Sequence, residues 1–144
     1  MNIDLDTSLG YLLKQTANTL RLSMESVLRP LGMTITHYSC LELLSQRPGL
    51  SNSQLARGAF VTRQSMNVLL QTLEHDGLVE RPPTAPSGRV LPAKLTALGR
   101  EQLAVASAAV KVVEDQMRSR FSDEQDKELR RLLQECIDSL AGLH

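Results

Sequence analysis

Residues 51–77, SNSQLARGAFVTRQSMNVLLQTLEHDG, hold two helix starts eleven positions apart, at Ser51 and Thr62. Ser51 and Gln54 have the spacing of a capping box, in which the hydroxyl and the amide each satisfy a free N–H of the first turn. The helix they open can run only about two turns before Gly58. Thr62 is the next N-cap, and Met66, Leu69, Leu70 and Leu73 follow at i, i+3, i+4 and i+7, an apolar stripe that fixes one face of a second helix. Its other face carries Arg63, Asn67 and Gln71 at four-residue steps, with Gln64 and Ser65 beside them in the first turn. Two short helices joined by a turn around Gly58 have the spacing of a helix-turn-helix.

The same periodicity continues on both sides. Residues 8–29 place Leu9, Leu12, Leu13, Leu20, Met24, Val27 and Leu28 at threes and fours, and Pro30 and Gly32 end that helix. TITHYSCLELLSQ repeats the pattern with Tyr38, Leu41, Leu43 and Leu44 until Arg47-Pro48-Gly49. After Gly77, a suitable C-cap, Leu78-Val79 and Arg89-Val90-Leu91 read as two strands flanking a Pro/Ser/Gly loop, with Pro92 confining the second to an edge. Thr96 caps a long helix to about residue 120, and Ser122-Asp123-Glu124 opens a last one with Leu129, Leu132, Leu133, Cys136, Ile137 and Leu140 on its apolar side. Aromatic residues make up 3% of the chain, so the apolar mass is Leu, Ala, Val and Met, which suits helices. The expected fold is mainly α with a small two- or three-stranded β wing: a winged helix-turn-helix plus a helical dimerisation region.

Net charge is zero, yet residues 47–100 hold seven Lys/Arg against three acids, so the flanks carry a matching acidic excess. A basic middle between acidic ends fits one segment meeting an anion while the others are solvated or meet protein. A helix fits the major groove, where Asn or Gln pairs bidentately with adenine and Arg with guanine. Arg63, Gln64, Ser65, Asn67 and Gln71 are the candidate readers. Ser51 and Ser53 on the preceding helix, and Arg81, Arg89 and Lys94 on the hairpin, complete the set of DNA-binding residues.

Other chemistries lack an anchor. There is no G-x-S-x-G, no Gly-rich phosphate loop and no pair of carboxylates in an apolar setting, so no enzyme and no cofactor are expected. His37, His75 and His144 do not form a metal-ligand set. Cys40 and Cys136 lie far apart without a C-x-x-C, which points to two buried thiols. No apolar run approaches the roughly 18 residues of a membrane span, and the N-terminus carries acids where a signal peptide would carry Lys or Arg, so a cytoplasmic protein with no membrane partner is expected.

LGMTITHYSCLELL, SNSQLARGAFVTRQSMNVLLQTLEHDGLVER and LTALGREQL together resemble the MarR family of bacterial transcriptional regulators, and the resemblance covers nearly the whole chain. The family's wing commonly reads Asp-x-Arg, five residues, Leu-Thr; Arg89 and Leu95-Thr96 match it, while Ser87 stands where the acid that helps hold the Arg would be. The resemblance implies a single domain over residues 1–144, with 8–30 and 97–141 as dimerisation helices and 33–95 as the DNA-binding lobe. It further implies a homodimer that reads a near-palindromic site through residues 62–75, where Thr62 joins the five readers in facing bases or phosphates, with Arg89 reaching phosphate or a narrow minor groove. Such regulators release DNA when a small aromatic or phenolic ligand binds between the dimer helices and the DNA-binding lobe, and Tyr11, Arg21, Met33, His37 and Tyr38 are the ligand-binding candidates near that cleft. Two alternatives stand beside this: a helical interaction or dimerisation module without DNA binding, and a redox-sensing regulator acting through a cysteine. Against the latter, Cys40 lies amid Tyr38, Leu41 and Leu43, where burial raises a thiol's pKa.

Overall fold

A computed structural model describes residues 1–81 and 93–144. In chain order the elements are α1 (Leu9–Leu28), a short 3-10 turn (Arg29–Leu31), α2 (Ile35–Gln46), α3 (Asn52–Gly58), α4 (Arg63–His75), β1 (Val79–Glu80), β2 (Lys94–Leu95), α5 (Ala97–Arg118) and α6 (Asp123–Ala141). The helix starts lie where hydroxyl side chains demand them: Ser8, Thr34, Ser51, Thr62 and Ser122 each accept an N–H from the first turn. Ser51 with Gln54, and Ser122 with Gln125, form full capping boxes.

The chain divides into two compact units, Met1–Val110 and Lys111–His144. The first holds the core, whose most deeply buried side chains are Leu28, Cys40, Leu41, Leu55, Met66, Leu70, Leu73 and Val79. In the second unit α6 buries no residue, and Leu129, Leu132, Leu133, Ile137 and Leu140 are exposed along it. Its acidic first turn, Asp123, Glu124 and Asp126, meets the positive end of its own dipole.

Three turns in the first unit share one geometry. After α1, Gly32 N–H donates to Arg29 O and Met33 N–H to Leu28 O; after α3, Phe60 N–H donates to Arg57 O and Val61 N–H to Ala56 O; after α4, Gly77 N–H donates to Glu74 O and Leu78 N–H to Leu73 O. This paired bonding is the Schellman motif, which needs a left-handed residue at its corner. Gly32 (φ 73°) and Gly77 (φ 77°) supply it freely, whereas the turn between α3 and α4 uses Phe60 at φ 60°. A side chain in that region costs roughly 1–2 kcal/mol. The expected turn around Gly58 is therefore displaced by two residues. Gly58 stays in α3, and its missing side chain lets a Leu43 methyl approach to 3.0 Å from where a Cβ would stand.

The strands also differ from expectation. β1 begins one residue later than Leu78, and it pairs antiparallel with Lys94–Leu95, beyond Pro92, in the register Val79 with Leu95 and Glu80 with Lys94. Val79 and Leu95 turn inward, Glu80 and Lys94 outward. The expected strand at Arg89-Val90-Leu91 lies outside the described residues. Two-residue strands are too short to show an alternation in sequence.

A tight joint fastens the strand pair to α5. Thr96 N–H donates to Leu78 O at 3.0 Å, and the Thr96 hydroxyl donates to Gly77 O at 2.6 Å while accepting from Gly99 N–H at 3.0 Å. Gly99 is buried here, and a Cβ on it would stand 2.1 Å from the Leu78 carbonyl oxygen. Backbone must move to admit any side chain. Gly99→Ala is accordingly expected to cost about 3 kcal/mol, at the upper end for overpacking, read as a lowered urea midpoint, whereas Gly142→Ala in the second unit leaves the midpoint within experimental scatter.

Candidate nucleic-acid interface

α3 and α4 meet over Leu55, Ala56, Met66 and Leu70, all buried. At the start of α4 the Thr62 hydroxyl accepts Ser65 N–H at 3.0 Å and donates to the Ser65 hydroxyl at 2.9 Å. Neither α3 nor α4 has an acid in its first turn, so the positive ends of both helices are left unneutralised, in contrast to α6.

The polar side of α4 separates into two parts. Arg63 and Asn67 lean toward α3: Arg63 Nη1 donates to Ser53 Oγ at 3.4 Å, and the half-buried Asn67 accepts from Asn52 Nδ2 at 2.6 Å. Gln64 and Gln71 instead stand exposed on the side opposite the apolar stripe, with Val68 between them. The sequence pattern grouped Arg63, Asn67 and Gln71 as one face. It missed Asn52, whose contact spans fifteen residues, and Val68, which a helical projection places opposite Met66. Ser51 uses its hydroxyl on Gln54 N–H as a cap.

On the strand pair, Lys94 is exposed across from Glu80. Arg81 is half-buried, with Nε and one Nη shielded and without a hydrogen-bond partner among the described residues. Arg89, Ser87 and Gly88 lie outside those residues.

The five ligand candidates are not brought together. Met33 and His37 line a cavity of about 210 Å³ with Leu41, Leu73, Asp76 and Gln102. Burial holds the His37 imidazole below its ordinary pKa, with the Asp76 carboxylate pulling in the other direction, so it is neutral at pH 7. Tyr38, one residue on and so about 100° around the helix, faces a different cavity of about 220 Å³ beside Glu42, Leu43 and Gly58. Tyr11 is exposed on α1, and Arg21 is occupied on its own helix by Glu25 at 2.9 Å and Asn18 at 2.7 Å.

Glu42 is the best-satisfied carboxylate in the first unit. It accepts from the Ser107 hydroxyl at 2.6 Å, the Tyr38 hydroxyl at 2.7 Å and Gln46 Nε2 at 2.7 Å, which ties α2 to α5. Burial would raise its pKa, but these three donors outweigh burial and hold it below the ordinary value. Cys40 is enclosed nearby, and burial pushes its thiol up to about 12 against a smaller opposing pull from Arg81. A thiolate is absent at neutral pH, which counts against redox sensing at this residue. Cys136 on α6 is half-buried.

A MarR family model matches residues 31–90, which begin in the turn after α1 and extend ten residues past β1. The HTH-type transcriptional repressor Rv2887 of Mycobacterium tuberculosis is 44% identical over 129 residues, which span 90% of this chain and 93% of that protein. The chain belongs to the MarR family. Among solved MarR family structures, that of Rv2887 in complex with salicylic acid superposes with a TM-score of 0.73 at 43% identity, covering 90% of this chain and 96% of the other. The same repressor in complex with DNA gives a TM-score of 0.73 at 41% identity, covering 90% and 98%. A MarR family regulator from Silicibacter pomeroyi reaches a TM-score of 0.83 at 20% identity over 95% and 92%, and so shares the winged-helix fold.

Two outcomes follow from the buried groups. In the folded protein at pH 8 Cys40 resists iodoacetamide for hours and reacts within minutes once urea unfolds the chain, as peptide mass spectrometry can show; rapid native labelling contradicts its burial. Because the folded pKa of Glu42 is depressed, its stabilisation is fully present above the unfolded carboxylate value of about 4.3 and is lost as pH falls through the folded value. Glu42→Gln therefore lowers the urea midpoint at pH 7, and the gap to wild type narrows below about pH 4.

Proposed function

We propose that this chain is a homodimeric, sequence-specific DNA-binding repressor that reads a near-palindromic operator and is released by a small aromatic or phenolic ligand. The observation that carries the reading is the outer side of α4, where Gln64 and Gln71 stand exposed on the second helix of a helix-turn-helix. Helix N-termini free of acids at α3 and α4 suit flanking phosphates, and Lys94 adds a charge on the wing. Thr62, Arg63, Ser65 and Asn67 then serve the first turn and the α3 seam, where phosphate and nearby base edges are in reach. Arg89 takes the wing role that the family pattern implies. Relatives support this: a repressor 41–43% identical has been solved with DNA and with salicylic acid.

The dimer follows from surface that a lone chain leaves exposed. In the first unit Leu9, Leu12 and Leu13 of α1 are open to solvent; in the second, the α6 stripe from Leu129 to Leu140 is. A second copy covers such faces at no cost in new sequence, and its two-fold axis makes the operator near-palindromic. Residues 8–30 and 97–141 are the dimerisation segments and 33–95 the DNA-binding lobe. Among the described residues no helix is long and apolar enough to cross a membrane, in keeping with a cytoplasmic regulator.

For the ligand, the cavity at Met33 and His37 is smaller than the roughly 300–1,000 Å³ of drug-sized sites and suits a single ring. Its described lining offers neutral His37, Gln102 and Asp76 but no Lys or Arg, which favours a phenolic hydroxyl over a carboxylate there. A ligand that prefers a dimer whose reading helices do not match one turn of DNA weakens binding by its differential affinity for that state.

Selection from a random duplex pool is expected to enrich a two-fold symmetric site, with affinity falling steeply as salt rises. Gln64→Ala then costs about 1–3 kcal/mol at particular base positions and relaxes preference there, and millimolar salicylate or a neutral phenol weakens the complex. No enrichment of any sequence, with the dimer intact, points instead to an interaction module without DNA binding.

A further inference from the structure

Val68 is 59% exposed on the outer side of α4. It lies four residues after Gln64 and three before Gln71, so the three side chains share one strip of helix surface. The buried residues of α4 are Met66, Leu69, Leu70 and Leu73. Val68 therefore adds nothing to the core, and as a β-branched residue it favours an exposed helix position less than Ala does. Its place on the strip gives it a use. Among the four bases only thymine presents a methyl group in the major groove, beside the acceptor and donor edge of its paired adenine. Glutamine, like asparagine, can pair bidentately with that adenine edge.

We infer that Val68 is a specificity-determining residue, packing against the C5-methyl of a thymine within an A·T step whose adenines are read by Gln64 and Gln71. The inference rests on the DNA-reading role proposed above and deepens it: each half-site contains A·T pairs at the positions facing the middle of α4. The contact selects by shape and apolar burial, so it discriminates thymine from cytosine without any charge.

The test uses the full-length protein and the duplex it enriches from a random pool, with each thymine replaced in turn by deoxyuridine, which removes the methyl and nothing else. Wild type loses about fourfold in affinity per half-site at one symmetric position, the worth of one buried methyl. V68A, whose melting curve should match wild type because the site is exposed, binds the thymine duplex correspondingly more weakly and is indifferent to deoxyuridine at that position. If wild type tolerates every thymine replacement, or if V68A stays as sensitive as wild type, Val68 does not read a methyl even though DNA binding stands. If wild type enriches no sequence at all, it is the DNA-reading role itself that falls, and this inference with it.

Discussion

A hydrogen-bonded joint between Leu78, Thr96 and Gly99 holds the strand that leaves α4 against the start of α5. Leu78 belongs at once to the end of α4, through its N–H on Leu73, and to α5, through its carbonyl on Thr96. The angle at which α4 presents its outer side is thus set from behind by contacts that tolerate no added atom at Gly99. Glu42, bonded to Ser107, makes a second tie between α2 and α5. Helices that carry few charges of their own become a rigid platform because backbone and carboxylate bonds, each fully matched, close around them.

On that platform the two sides of the helix-turn-helix do different work. The Asn52–Asn67 and Ser53–Arg63 bonds pin α4 to α3, so part of what looks like a DNA-facing polar surface is engaged inside the motif. The outer strip of Gln64, Val68 and Gln71 is exposed and joins no such tie among the described residues. On the proposed reading, a strip carried on a helix already fixed from behind loses less freedom when it meets bases.

Much of this was legible in sequence, for a physical reason: a helix cap is decided by one hydroxyl and the N–H groups within three residues of it. Ser51, Thr62 and Ser122 could be recognised without knowing the fold, and the stripe from Met66 to Leu73 fixed which side of α4 is buried. What depended on distant residues was not legible there. The bonds that tie Arg63 and Asn67 to α3 leave no local signal, because their partners are ten and fifteen residues away. The turn was read as lying around Gly58, whereas Phe60 takes the left-handed conformation and Gly58 serves the approach of Leu43. His37 and Tyr38 were named among the candidates for one cleft that the resemblance implied, whereas they line different cavities, since a helix sends neighbours to different sides. The ALGR motif carried the most information that spacing could not decode, since nothing local says that Gly99 faces a carbonyl.

Because Gly77–Leu78 on one side and Thr96 on the other clasp the chain, the ends of the segment between them are fixed whatever that segment contains. Closing a loop between fixed ends costs only about 0.6 kcal/mol more for each doubling of its length. The entropy of closing the loop between the two strands therefore sets little limit on its length. What keeps Val79 opposite Leu95 is then the clasp and not the length of chain that it closes.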